Sequence, residues 1–177
     1  ESWGETWERQ ALLKCRPIAG SISLGRKVME MIRPFIFRKY LDFSALREIK
    51  EMKDKINRGL KLKRNGKNNV KLGYGGIREI EFIIQSFQLI YGGREKWLRE
   101  RNSMRALHRI SEKGLLSYAE YFSLSNAYLF LRDLENRIQL SSGRQTHEIP
   151  EDLKEQMATG MTHVRDFNLS LGRGVYF

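Results

Sequence analysis

The sequence predicts an all-α protein, a helical bundle of about six or seven amphipathic helices. Apolar residues recur at intervals of three and four along nearly the whole chain, which is the spacing of a helix with one buried face. No alternating apolar and polar run is longer than four residues, so no strand is predicted. The 177 residues are 41% hydrophobic, which provides a core for one domain with a short appendage.

Two helices are predicted at the beginning of the chain. The first spans residues 2–15 and is stopped by Pro17, which cannot continue a helix without loss of a hydrogen bond. The second spans residues 22–41, and Pro34 should kink or divide it. The residues predicted to face the core from this second helix are Val28, Ile32, Phe35, Ile36 and Leu41.

A third helix is predicted over residues 44–62, with Ser44 as its N-cap. Its apolar residues are Leu46, Ile49, Met52 and Ile56. The segment 63–76 is rich in Gly and Asn and is predicted to be a loop. A fourth helix begins at about Ile77 and ends at Gly92, and its apolar face consists of Ile80, Ile83, Ile84, Phe87, Ile90 and Tyr91.

A fifth helix is predicted over residues 94–113, with Gly114 as its C-terminal stop. A sixth begins at Ser117, because Ser117 and Glu120 stand at the spacing of a capping box. A last helix begins at Pro150, a favoured first helical residue. The predicted core residues of these three helices are Trp97, Leu98, Met104, Leu107, Ile110, Tyr121, Phe122, Leu124, Tyr128, Leu131, Leu134, Ile138, Leu153, Met157, Met161, Val164 and Phe167.

The composition excludes several classes of protein. A single cysteine, Cys15, rules out an internal disulfide framework and a thiolate metal cluster. No apolar run approaches the roughly 18 residues of a membrane span, and no signal peptide opens the chain, so we expect a cytoplasmic protein. The chain begins with Glu1 instead of Met inside a helical pattern, which indicates a fragment of a longer protein.

The excess of positive charge is concentrated in one segment. The whole chain carries a formal charge of +11, and most of it lies in residues 44–71. Such a segment can bind an anionic partner, either nucleic acid or an acidic protein surface. It can equally be a solvated helix face followed by a basic loop. The segment lacks the interleaved aromatic residues that stack on single-stranded bases, so nucleic acid is the less favoured partner.

The sharpest local feature is the segment KLGYGGIREIEF, residues 71–82. Its glycines lead directly into a predicted helix N-terminus, where unpaired backbone amides can hold an anion. Lys71 and Arg78 could add positive charge. The residues that this interpretation singles out are Lys71, Gly73, Gly75, Gly76, Arg78 and Glu79. The alternative is a glycine-rich turn that only enters a helix, because neither the Rossmann nor the P-loop spacing is present.

No residue pattern predicts a complete active site in this chain. The three histidines, His108, His147 and His163, lie on separate elements without a second ligand at metal spacing. The segment 142–147, SGRQTH, has no specific chemical interpretation as an isolated loop. We therefore predict no catalytic residue and no metal ligand here, and we expect no cofactor bound by this chain.

Three longer segments, taken together, resemble a known enzyme family. They are WERQALLKCRPIAG (7–20), KLGYGGIREIEFIIQSFQLIYGGRE (71–95) and the run AYLFLRDLENRIQL…QTHEIP (127–150). In this order they resemble the bacterial glutamine synthetase adenylyltransferase/adenylyl-removing enzyme, most closely its N-terminal, adenylyl-removing half. The resemblance extends from about Trp7 to the last predicted helix. A PII uridylyltransferase-like enzyme is the alternative within this resemblance, and the later two segments fit it less well.

The resemblance implies a nucleotidyltransferase that attaches AMP to a tyrosine of glutamine synthetase and removes it by phosphorolysis, with Mg²⁺ and ATP or ADP. It implies glutamine synthetase and the uridylylated PII signal protein as partners. The family's Gly-Gly-Ser turn and paired metal-binding acids are absent from this sequence. The chain is therefore expected to be inactive by itself.

The resemblance also implies a division of the chain and roles for a few residues. Residues 1–43 would be the helical tail of the nucleotidyltransferase unit, and residues 44–177 a helical bundle domain. Lys14 and Arg16 would lie beside the nucleotide pocket as candidates for contacting phosphate, whereas Arg78 and Glu79 would make bonds between domains. The alternative function is a basic helical binding module for nucleic acid or an acidic protein.

Overall fold

The computed structural model describes residues 6–38, 47, 51 and 69–150, and these residues form helices, as the sequence predicts. Five α-helices and one 3-10 helix are assigned within them. The helices are α1 (Thr6–Leu12), α2 (Ile22–Ile36), α3 (Ile77–Tyr91), the 3-10 helix (Lys96–Leu98), α4 (Ser103–Glu112) and α5 (Tyr118–Ser142). The helices predicted over 44–62 and from Pro150 onward lie essentially outside the described residues. Among the described helices, none is long and apolar enough to cross a membrane.

The chain divides into two compact units, each assembled from two separate stretches of sequence. The first contains Glu1–Asn57 and Glu81–Ser125, and the second contains Arg58–Ile80 and Asn126–Phe177. The division predicted between residues 43 and 44 stays a prediction, since that point lies outside the described residues.

In the first unit, α1 and α2 pack on α3 around a small apolar cluster. Leu13, Ile36 and Leu89 are buried together, and the half-buried residues packed against them are Leu12, Ile32, Phe35, Phe37 and Phe82. The buried Arg9 guanidinium donates to the carbonyl of Ile36, 3.3 Å from both Nε and Nη2. This bond fixes the C-terminal end of α2 against α1.

Helix α2 ends earlier than predicted. It begins after the Ser21 N-cap, as expected, and its last residue is Ile36 instead of residue 41. Pro34 lies in the final turn and has no amide to donate, so the helix loses a hydrogen bond where it terminates. Val28 is also not a core residue, because 42% of its surface is exposed.

The prediction of a fifth helix over residues 94–113 is wrong for the first half of that range. Residues 96–98 form a 3-10 turn, and α4 begins only after Asn102, whose side chain accepts the Arg105 amide at 3.0 Å. An Asn N-cap starts a new helix at this point. Leu98 is fully buried, whereas Trp97 is 37% exposed.

The start of α5 is confirmed in detail. The Ser117 amide donates to Glu120 Oε2 at 2.7 Å, and the Glu120 amide donates to Ser117 Oγ at 3.2 Å, which is the reciprocal pattern of a capping box. Gly114, with φ of +73°, ends the preceding helix as predicted. Phe122 is not part of a core, since 55% of its surface is exposed.

Candidate functional site

The glycine-rich turn of the second unit is organised by Asn69. The Asn69 side-chain oxygen accepts the amides of Lys71 at 3.1 Å and Leu72 at 2.8 Å, and its carbonyl accepts the amide of Gly73 at 2.8 Å. An Asn side chain in this position replaces backbone acceptors and fixes a tight turn. The backbone therefore forms a tight turn over residues 69–73, just before α3 begins.

Two glycines of the turn are required by its geometry. Gly75 has φ of +71°, in the left-handed region that other residues avoid, and its amide donates to Glu79 Oε2 at 3.1 Å. A Cβ atom on Gly76 would lie 2.8–2.9 Å from three backbone carbonyl oxygens, those of Val70, Lys71 and Gly73. Gly76 therefore lets the turn close on itself.

The amides at the beginning of α3 donate within the turn. Gly76 donates to the Gly73 carbonyl at 3.0 Å, Ile77 to Val70 at 3.1 Å, and Arg78 to Lys71 at 3.0 Å. An anion bound at this helix start would have to displace one of these bonds. The local geometry thus favours a structural turn, the alternative to a phosphate site that the sequence left open.

A buried carboxylate, that of Glu135 on α5, lies beside this turn. The side chain is 4% exposed, and its two oxygens are approached by three cationic or protonatable groups. Arg132 Nη1 lies 2.8 Å from Oε2, Lys71 Nζ lies 3.4 Å from Oε1, and His147 Nδ1 lies 2.9 Å from Oε1. We call Glu135, Lys71, Arg132 and His147 the Glu135 cluster.

The cluster keeps Glu135 ionised. Burial raises the pKa of this carboxyl, but the hydrogen bond from Arg132 and the positive charge of Lys71 lower it by more, so the net pKa lies below the ordinary value of 4.5. A buried carboxylate needs such partners, because an unpaired charge in the protein interior costs several kcal/mol.

The segment around His147 is joined to the same turn by its backbone. The Val70 amide donates to the His147 carbonyl at 2.9 Å, and Asn69 and Glu148 form an isolated antiparallel bridge. The His147 side chain also approaches α5 at a second residue, since Gln139 Nε2 lies 3.4 Å from His147 Nδ1. The turn, α5 and residues 146–148 therefore meet at Glu135.

Of the residues predicted from the turn, the structure brings Lys71 into the cluster and gives Gly75, Gly76 and Glu79 roles inside the turn. Gly73 is buried in it, and Arg78 is exposed. No pattern in the sequence brings Asn69, Arg132, Glu135 and His147 together as a group. One signal was available for Glu135, which follows Leu134 and stands four residues after Leu131 on the buried face of α5, where a carboxylate requires a partner.

The two basic residues after α1, Lys14 and Arg16, differ in their surroundings within the first unit. Lys14 Nζ lies 3.2 Å from Glu81 Oε1 and donates to Ser103 Oγ at 2.9 Å. Beside it, Gln10 Nε2 donates to Gln85 Oε1 at 2.7 Å. Arg16 is exposed. Lys14 is thus held by a buried carboxylate, while the Arg16 guanidinium faces solvent.

The YGGRE segment has a structural explanation in this unit. Arg99 donates to the Gly92 carbonyl at 2.6 Å and to the Gly93 carbonyl at 3.3 Å, and its guanidinium lies 4.8 Å from the centre of the Phe37 ring. A Cβ atom on Gly92 would meet that ring at 2.7 Å. Gly92 therefore admits Phe37 against the end of α3.

Within the described residues, no group of three or more His, Cys, Asp and Glu could hold a metal ion.

The chain is similar to proteins of one family. The model of a family described as GlnD PII-uridylyltransferase matches residues 45–170, which is more than half of the chain. The chain belongs to this family. The matched range contains the glycine turn and the whole Glu135 cluster.

Curated relatives match over most of the chain. A bifunctional glutamine synthetase adenylyltransferase/adenylyl-removing enzyme from Hahella chejuensis is 44% identical over 161 residues, 89% of this chain and 16% of the relative. The protein of that name from Nitrosococcus oceani is 47% identical over 85% of this chain and 15% of its own length. The one from Stenotrophomonas maltophilia strain K279a is 44% identical over 94% of this chain and 18% of its own.

The chain thus spans less than a fifth of the length of these relatives. All three carry the name of the enzyme that the sequence segments resemble, although the family model is named for the uridylyltransferase. The names of these relatives do not favour the uridylyltransferase alternative.

Proposed function

We propose that this chain is the helical part of an enzyme that removes AMP from a tyrosine of glutamine synthetase and, in its other half, attaches it. The observation that carries the proposal is the 44–47% identity to enzymes of this name over 85–94% of the chain. Through this activity the full-length parent enzyme would regulate nitrogen assimilation in the cytoplasm. The basic binding module is not favoured by any of these relatives.

The chemistry would be carried by a part of the parent enzyme outside this chain. Nucleotidyl transfer with ATP or ADP and Mg²⁺ needs acidic ligands for the metal. The described residues contain no group of three or more potential metal ligands, and the buried carboxylate of Glu135 is already paired with cationic side chains. The described residues therefore do not fit the metal, and no step of the reaction is assigned to them.

The role of this chain would be to hold the parts of the parent enzyme in place. The Glu135 cluster and the turn around Gly76 would order the segment that leads into α3. We infer that Arg78, exposed at the start of α3, contacts a neighbouring domain, and that Arg16 contacts a phosphate of the nucleotide. Lys14 would act by holding α1 against Glu81, which positions Arg16 two residues later.

The partners of the parent enzyme would be glutamine synthetase, as its substrate, and the uridylylated PII signal protein, as its regulator. The chain's net charge of +11 supports an acidic partner surface. Nucleic acid is not proposed as a partner.

The direct test is an assay of the full-length parent enzyme. Adenylylated glutamine synthetase would be incubated with Mg²⁺ and phosphate, and ADP formation followed. We expect ADP from the parent and none from the isolated chain at the same concentration. Absence of ADP from a folded parent would reject the proposed function, and ADP formed by the isolated chain would reject the assignment of the chemistry to other parts.

A further inference from the structure

The buried carboxylate of Glu135 has one oxygen that two side chains approach. His147 Nδ1 lies 2.9 Å from Oε1, and Lys71 Nζ lies 3.4 Å from the same atom. Oε1 is buried, and within the part of the chain that the structure describes neither approach has the geometry of a hydrogen bond. The other oxygen, Oε2, accepts from Arg132 Nη1 at 2.8 Å, and Arg132 Nε also donates to the Tyr128 hydroxyl at 3.2 Å. Two donors therefore share Oε1, whereas Oε2 has a firmly held partner.

The proton of neutral His147 belongs on Nδ1. A neutral imidazole carries its proton on one of the two ring nitrogens, and the hydrogen bonds around the ring decide which. Glu135 is ionised at neutral pH because its pKa is lowered, so a lone pair on Nδ1 would face a carboxylate oxygen at 2.9 Å. The Gln139 amide nitrogen, 3.4 Å from Nδ1, is the weaker neighbour because it is uncharged and more distant. Acidification therefore protonates Nε2, and the ring becomes a cation without leaving Oε1.

The charges that face this ring come from two elements of the second unit. On α5 they are Glu135 and Arg132, which is bonded to the far oxygen, and on the glycine turn the charge is that of Lys71. Glu148, the next residue of the chain, is exposed. With neutral His147, two cations already surround one carboxylate. A cationic ring adds a third positive charge within about 6 Å of the Lys71 ammonium, where like charges repel.

We propose that the Glu135 cluster is a pH-sensitive switch, in which a proton taken up by His147 releases the Lys71 ammonium from Glu135 into solvent. Lys71 is the partner that leaves, because lysine has a flexible side chain with a strongly hydrated charge and this side chain is 32% exposed. His147 is 20% exposed and is held by its backbone, since its carbonyl accepts the Val70 amide at 2.9 Å.

The switch operates between about pH 8 and pH 5.5, within the range in which histidine changes its charge. Glu135 stays ionised throughout, since its pKa lies below 4.5. At the upper end Lys71 pairs with the carboxylate, and at the lower end its ammonium is exposed beside the glycine turn. The turn thus offers a free positive charge to an anionic group only after acidification. All of these contacts lie within the second unit, so the switch does not require the proposed function.

The experiment measures how much Lys71 stabilises the 177-residue chain at two pH values. Urea unfolding of the wild type and of Lys71→Met would be followed by circular dichroism at pH 8 and pH 5.5. We expect the drop in unfolding midpoint caused by Lys71→Met to be at least about twofold larger at pH 8 than at pH 5.5. In a His147→Gln background the two drops should be equal. Equal drops in the wild-type background, or a persistent difference in the His147→Gln background, would overturn the proposal.

Lys113 provides the matched control. Its Nζ lies 2.7 Å from Glu95 Oε1, and the pKa of Glu95 is also lowered by this contact, so this lysine–glutamate pair stays charged over the same pH range. Lys113→Met should lower the unfolding midpoint equally at pH 8 and pH 5.5. A pH dependence as large as that of Lys71→Met would mean that acid weakens such pairs in general, which is contrary to the proposal. Lys71→Gln replaces Lys71→Met if the latter does not fold.

Nuclear magnetic resonance follows the release itself. In a chain labelled with ¹³C at lysine and histidine, the Lys71 Cε signal is assigned by its loss in Lys71→Gln. This signal should shift with the same midpoint pH as the His147 ring, while the Lys113 Cε signal stays constant. His108, whose pair with Glu112 is exposed, serves as the reference for an ordinary histidine titration. A Lys71 signal that does not move while His147 titrates would contradict the switch.

Discussion

The imidazole Nδ1 of His147 lies 2.9 Å from Oε1 of Glu135, and the His147 carbonyl accepts the amide of Val70. One residue thus bonds to α5 through its side chain and to the glycine turn through its backbone. The third of the segments that resemble the enzyme family, 127–150, contains Glu135 and His147, and Val70 directly precedes the second segment, 71–95. The two segments meet at Glu135, because Lys71 of the second and His147 of the third both approach its Oε1.

Replacing Glu135 should destabilise the second unit strongly. In Glu135→Ala the Lys71 and Arg132 cations lose their buried partner, and we expect the free energy of unfolding to fall by about 3 kcal/mol. Both cations are partly exposed, which keeps the loss below that of a fully buried pair. Asp133→Asn is the control, because its pair with Arg137 is exposed and should contribute less than about 1 kcal/mol. Urea unfolding measures both, and similar losses would contradict the importance of the cluster.

The contribution of Glu135 should depend on pH in a defined direction. Its pKa is lowered in the folded protein, so its ionised form stabilises the fold at pH values above the ordinary pKa of 4.5. This stability is lost as the pH falls below 4.5 through the lowered pKa. The difference in unfolding free energy between the wild type and Glu135→Gln should therefore shrink on acidification. A difference that stays constant from pH 7 to pH 3 would show that the charge of Glu135 does not stabilise the fold.

Gly76→Ala should prevent the turn from closing normally. The added Cβ would approach three backbone oxygens at 2.8–2.9 Å, and backbone atoms cannot move away as a flexible side chain can. We expect a loss of more than about 2 kcal/mol, near the upper range for single substitutions. Gly114→Ala is the matched control, since it meets nothing within 4 Å and pays only for its positive φ, about 1 kcal/mol. Thermal unfolding of the two variants compares them directly, and equal losses would reject the steric explanation.

Asn69→Ala should loosen the same turn without a steric clash. Its side-chain oxygen accepts two amides, so the variant should lose about 1–2 kcal/mol. Hydrogen exchange should become faster at the amides of Lys71 and Leu72, while the amide of Arg105, capped by Asn102, serves as an internal reference. Unchanged exchange at residues 71 and 72 would mean that Asn69 does not order the turn.

Substitutions of Lys14 and of Arg16 should have different effects on stability and on activity. Lys14→Met removes a partner of the buried Glu81 and should lower stability by about 1 kcal/mol. Arg16→Met, at an exposed position, should leave stability within about 0.5 kcal/mol. If Arg16 contacts a nucleotide phosphate in the parent enzyme, this variant should reduce kcat/KM about tenfold, the loss expected for one charge-assisted hydrogen bond. An unchanged kcat/KM would remove Arg16 from the nucleotide site.

Local signals predicted the helices well and the side-chain cluster poorly. The capping box of Ser117 and the stop at Gly114 depend on neighbouring residues alone, so the sequence predicts them directly. The Asn102 N-cap is also local, but the apolar spacing of residues 97–110 concealed it. By contrast, Lys71 and His147 reach Glu135 only after folding, and no spacing rule connects them.

The sequence also predicts poorly which apolar side chains of a helix are exposed. Val28 and Phe122 stand at helical spacing with true core residues, yet both are largely exposed. Periodicity assigns a face to a helix but does not say whether this chain supplies the surface that covers that face.

The bond between Val70 and His147 also has a consequence for the order of folding. It joins residues that are 77 positions apart, with α3, α4 and α5 between them. Helices form locally and quickly, whereas a distant pairing must wait for a long loop to close. During synthesis, Asn69 and Val70 leave the ribosome long before Glu148 exists. The bonds that join the glycine turn to residues 147 and 148 can therefore form only after α5 and the next few residues have emerged.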